Sequence, residues 1–191
     1  MKGIVRWMAF GAIATAAALA ACSSAHQPVG TSSTTEGTSS TTAPRQQVQI
    51  PDAVKVPSGN KLAGSFEGHG VQIYQCTNNS WTLSGLAAII SDNGNPIAVH
   101  SMHSKGLVWI STVDGSDVSA TPVPNAEVTH DDAIAERLLK ATDTHGAGQF
   151  GSVTYVQRLA TKGGLAPKGQ CTNEAQTGVP YWASYLFYTA G

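Results

Sequence analysis

Charge is scarce in this chain. Only 12% of the residues are Asp, Glu, Lys or Arg, and 11 basic side chains against 12 acidic ones leave a formal charge of −1. Nucleic-acid binders draw most of their affinity from Lys and Arg contacts to phosphate, so no nucleic-acid partner is expected. Aromatic residues are also few, at 7%, and they gather late in the chain, where Tyr181, Trp182, Tyr185, Phe187 and Tyr188 fall close together. No Gly-x-Ser-x-Gly elbow occurs, which removes support for hydrolases built on that turn. Strand and helix patterns do not alternate as a doubly wound sheet requires. Cysteine appears only three times, and the apolar run from Trp7 to Ala21 is shorter than the ~20 residues a membrane-spanning helix needs.

What that run does fit is an export signal, because Lys2 and Arg6 precede it and its length lies in the range of an h-region. Its end, Leu19, Ala20, Ala21 and Cys22, resembles the lipobox of bacterial lipoproteins. That resemblance implies cleavage before Cys22 and diacylglycerol on its thiol, the alternative being an ordinary secretory signal with a stray cysteine. Acyl chains contribute ~0.8 kcal/mol per buried methylene, enough to hold a protein on a membrane without spanning it. From Ser23 to Gln47 the chain is rich in Ser and Thr and poor in bulky apolar residues, so it cannot offset the entropy of ordering and reads as a tether. The expected organisation is a signal over 1–21, a tether over 22–53 and a globular domain over 54–191.

Within the domain the strand signals are short and separated by turn chemistry. Val71, Ile73 and Gln75 alternate with Gln72, Tyr74 and Cys76, and Val153, Tyr155 and Gln157 with Thr154, Val156 and Arg158. Further strand candidates are 62–66, 81–90, 97–99, 107–110, 118–123 and 180–188. Asn78-Asn79, Asn93-Gly94 and Asp114-Gly115 mark connections between them. One helix is predicted after Thr129 or His130, on a stripe of Ile134, Leu138 and Ala141. The expected fold is therefore mainly β, an antiparallel sandwich or barrel-like domain with one short helix. With Cys22 set aside for lipid, Cys76 and Cys171 are expected to pair in an oxidising compartment. Such a bond closes ~95 residues, for which the chain-entropy model allows about 4–5 kcal/mol. The alternative is two separate buried thiols.

Several ordered blocks then resemble a known family. They are Val56, Pro57, Gly59, Asn60 and Leu62; Gly70 to Tyr74 with Cys76; Val153 to Arg158; Thr161, Gly163, Gly164, Ala166, Pro167 and Cys171; and Val179, Pro180, Tyr181, Ala183, Tyr185, Phe187 and Tyr188. Together they are similar to the domain-of-unknown-function family 3455. The middle departs from that family's pattern, where either His100 or His103 takes the histidine position. The resemblance implies export in bacteria or fungi and a paired cysteine, with no assigned activity.

The remaining motifs have ordinary readings beside functional ones. Gly146, Gly148 and Gly151 have dinucleotide-loop spacing, but a strand follows them rather than a helix, so no cofactor is expected. His100 and His103 lie three apart, which on a strand sends them to opposite faces, and no metal site is expected. Arg158 on a central strand must be paired if it faces inward. The leading functional reading is a non-enzymatic, lipid-anchored envelope domain on the extracytoplasmic face of the cell membrane, binding a ligand or partner. Candidate contacts are Tyr74, His100, His103, Trp109, Arg158, Trp182 and Tyr188. The rivals are a metal- or carboxylate-dependent envelope hydrolase using His100 or His103 with Asp114, and a purely structural role.

Overall fold

A computed structural model describes residues 49–191. The expected signal, Cys22 and most of the tether fall on residues 1–48 and lie outside the described residues. A single 3-10 turn, Asp52–Val54, leads into β1 (Asn60–Thr77), β2 (Ser80–Asp92), β3 (Asn95–His103), β4 (Gly106–Ser111), β5 (Asp117–Val128), β6 (Glu136–His145), β7 (Val153–Gly163) and β8 (Gln176–Ala190). Each strand pairs antiparallel with the next, and β8 returns to β1 to close a barrel. Closure leaves no sheet edge to template pairing with another chain.

β1 is one long strand where the sequence suggested two, one over 62–66 and one from Val71 to Cys76. Gly68 and Gly70, between those two stretches, are points of close approach within the strand. A Cβ on Gly68 would lie 2.5 Å from the Tyr185 ring, and one on Gly70 would lie 2.1 Å from the Ala87 carbonyl oxygen. They let Tyr185 fill the barrel and let β2 come close.

The helix expected over 129–141 is absent, and its second half is β6. Leu139 points into the barrel core, while its neighbour Leu138 packs outward against Val54, Leu159 and Leu186. Burial on both faces erases the in-out alternation of an ordinary half-buried strand, and the resulting apolar run mimics a helical stripe. The outward cluster exists because the segment carrying Val54 and Val56 lies over the wall. Gln157 ties it down, donating Nε2–H to the Val54 carbonyl at 2.6 Å while accepting from the Tyr188 hydroxyl at 2.7 Å.

The barrel core contains Ile90, Trp109, Val118, Leu139, Val156, Tyr181, Tyr185 and Phe187. Antiparallel connectivity gives the barrel two unlike ends. At one end lie both termini of the barrel and the β2–β3, β4–β5 and β6–β7 connections, and here the core is sealed. Phe150, fully buried in the β6–β7 connection, meets Phe187 in a tilted ring contact with centroids 4.7 Å apart. Its backbone N–H donates to Ser116 Oγ at 3.0 Å, and Asp114 accepts from Ser116 Oγ, Ser116 N and Gln149 N at 2.6, 2.9 and 2.9 Å. At the other end lie the β1–β2, β3–β4, β5–β6 and β7–β8 connections. There a disulfide joins Cys76 to Cys171, with Cα atoms 5.8 Å apart and 95 residues between them in sequence.

Candidate functional site

The end that carries the disulfide is open. A cavity of about 470 Å³ occupies it, within the range of small-ligand sites, and such barrel mouths are a usual place for them. Its apolar wall includes Leu83, Leu86, Leu107, Pro122, Ile134 and Leu165. Alternation along the strands explains the set: Gln72 and Tyr74 on β1, Leu86 on β2, Met102 on β3 and Leu107 on β4 continue the inward faces of strands whose deeper residues fill the core.

Two of the wall residues are arginines. Arg137 on β6 and Arg158 on β7 are directly opposed in register, and both border the cavity. Residues directly opposite share a face, so two like charges sit side by side, an unfavourable arrangement by itself. Glu127 on β5 stands opposite Arg137 in the same row and meets its Nη2 at 2.6 Å. Arg158 has no such partner among the described ion pairs. Its Nε and Nη2 both donate to the neutral carbonyl of Ala135, at 3.1 and 2.8 Å. Glu136, the next carboxylate along, is engaged elsewhere, accepting at 2.7 Å from the amide of Ala160, whose positive φ of 49° marks an irregularity in β7. Burial pulls the Arg158 guanidinium below its ordinary value, with the nearby charge of Arg137 adding to the effect and Tyr185 and Tyr181 opposing it. A guanidinium nevertheless stays charged in proteins.

Two further donors at the cavity are buried without a hydrogen-bond partner, Nε2 of Gln72 and Nε of Arg137. Gln72 itself is 2% exposed. The Tyr74 hydroxyl, by contrast, is spent on the Gly164 carbonyl at 2.7 Å. Burial raises its pKa, partly countered by Arg158, so it stays a donor at neutral pH.

Below the cavity the core is aromatic and polar at once. His100 stacks on Trp109 with centroids 4.1 Å apart and planes 5° apart, and Tyr185 meets both rings edge-on. The Tyr185 and Tyr181 hydroxyls are 3.2 Å apart. Burial raises both tyrosine pKa values. His100 Nδ1 contacts the Val108 carbonyl at 2.8 Å, which assigns the proton to Nδ1, and burial holds its pKa down to about 3. It is a neutral core histidine.

The structure therefore brings Tyr74, His103 and Arg158 together at one cavity, with His100 and Trp109 in the core. It puts Trp182, 55% exposed, on the outer wall, and Tyr188 in the outward cluster. Asp114 belongs to the sealed end, away from His103 at the open one. Among the described residues no group of three or more His, Cys, Asp or Glu side chains is arranged to hold a metal ion. Gln72 and Arg137 were not singled out in the sequence. Reading β6 as a strand would have placed Arg137 on the face of Leu139.

A second depression, of about 460 Å³, lies where β6 and β7 part beyond the Lys140–Tyr155 pair. Its lining of Asn60, Thr142, Asp143, Thr144 and Thr154 holds no buried unpartnered group.

Residues 88–189 match the model of a family described as "Protein of unknown function (DUF3455)". The match begins within β2, so β1 lies upstream of it. No curated protein and no solved structure matches the chain.

Proposed function

The chain belongs to the DUF3455 family of proteins of unknown function, and from that premise and the barrel geometry we propose a non-enzymatic binding domain, exported and held to the extracytoplasmic face of a cell membrane by lipid on Cys22, that takes a small, largely apolar ligand in its open mouth. The observation that carries the reading is the contrast between the two ends of the barrel. One is plugged by Phe150 and clasped by Asp114, while the other opens on a cavity with mostly apolar walls. Apolar concavity with a few convergent polar groups is the usual character of a small-molecule site. The disulfide supports an oxidising compartment, and the lipobox supports the anchor.

The neutral fluorophore N-phenylnaphthylamine tests the pocket. It is expected to bind the purified protein saturably and one to one. Leu83→Trp, which places a large ring at the cavity mouth, is expected to weaken binding about tenfold or more with the melting temperature unchanged. Non-saturable binding, or an affinity indifferent to Leu83→Trp, would refute the site.

A further inference from the structure

We propose that the ligand carries an anionic oxygen head, a carboxylate or a phosphate on an apolar body, received by Arg158, Arg137 and Gln72. This rests on the pocket reading above and specifies its chemistry. The row that crosses the wall from β5 to β7 reads Glu127, Arg137, Arg158, one carboxylate for two guanidinium groups. The uncompensated charge falls on Arg158, 8% exposed, whose hydrogen bonds go to the neutral Ala135 carbonyl and the neutral Tyr185 hydroxyl and which meets no carboxylate among the described ion pairs.

A buried charge without an opposite partner is costly, and a strand pair with like charges opposed adds to that cost. An anion at the mouth offsets both. The donors beside it suit the same ligand: Nε of Arg137 and Nε2 of Gln72 are buried and unpartnered at the same cavity. Guanidinium forks bind planar carboxylate and phosphate oxygens through charge-assisted hydrogen bonds, stronger than neutral ones. The leucines, Ile134 and Pro122 leave the remainder of the cavity to hydrocarbon. A neutral ligand of the same shape would leave Arg158 uncompensated.

Titration calorimetry on the full chain with decanoate, decyl phosphate and decanol separates the outcomes. At least one anion is expected to bind about tenfold or more tightly than decanol, since hydrogen bonds to charged groups exceed neutral ones by roughly that factor. Whichever anion binds better identifies the head group. Arg158→Gln is expected to bring that anion down to the level of decanol. Arg137→Gln serves as a second variant, with a smaller loss, should Arg158→Gln fail to fold. Decanol binding as tightly as both anions would overturn the anionic head while leaving the pocket intact, as would an anion preference undiminished in the folded variants. If N-phenylnaphthylamine binds but none of the three ligands does, the anion inference fails alone. If the fluorophore fails as well, both readings fall together.

Discussion

His100 shows how burial decides what an ionisable side chain can do. As a residue type it suggests a metal ligand or a general base. On β3 it shares the inward face with Ala98 and Met102, and the core closes over it. Burial is the main cause of its lowered pKa, with Arg158 adding to the shift and the Val108 hydrogen bond opposing it. The native state thus stays neutral down to about pH 3, whereas the unfolded chain takes a proton near 6.5. Between those values the unfolded state binds more protons. The contribution of His100 is full above the unfolded pKa and declines as pH falls towards the native one. The urea midpoint is therefore expected to fall between pH 7 and pH 4. His100→Phe, which keeps a ring against Trp109 but does not titrate, should show a shallower fall. Equal slopes in the two proteins would contradict this account. Arg158 is the opposite case, because its charge cannot be discarded at neutral pH and must be met by something.

At the scale of elements, the β7–β8 connection is the part on which the open mouth most depends. It has little regular structure, yet it is held on one side by the disulfide and by backbone bonds. Cys76 N donates to the Ala175 carbonyl at 2.8 Å, Glu174 N to the Cys76 carbonyl at 3.1 Å, and Cys171 N to the Asn79 carbonyl at 3.4 Å. Tyr74 holds Gly164, and Leu165 beside it borders the cavity. Replacing both cysteines, Cys76→Ser with Cys171→Ser, is expected to lower stability by about 2–5 kcal/mol, read as a drop in melting temperature. It should also weaken fluorophore binding several-fold at temperatures where the far-ultraviolet dichroism is still native. An unchanged affinity there would show that the disulfide does not shape the rim. The same scale accounts for the missing helix. Sequence periodicity assumes one wet face and one dry face, and β6 has two dry ones because the Val54 segment covers its outside.

For the whole molecule, the proposal is a barrel domain held to a membrane by lipid on Cys22. Cys22→Ser is expected to abolish labelling by palmitate and to shift the protein out of the membrane fraction. Unchanged partitioning and no label in the unaltered protein would exclude the anchor.

Alternation of apolar and polar residues, turn pairs such as Asp114-Gly115, and the positions of Cys76 and Cys171 made a mainly β domain with one internal disulfide legible in the chain by itself. Those signals are local, or rest on counting, and survive without knowing the neighbours of any strand. Closure decided the rest. Which end is plugged, which is open, and that Arg137 faces Arg158 depend on the register of all eight strands together. A one-residue slip in any pair would send every side chain of that strand to the other face, and only the packed interior selects against it.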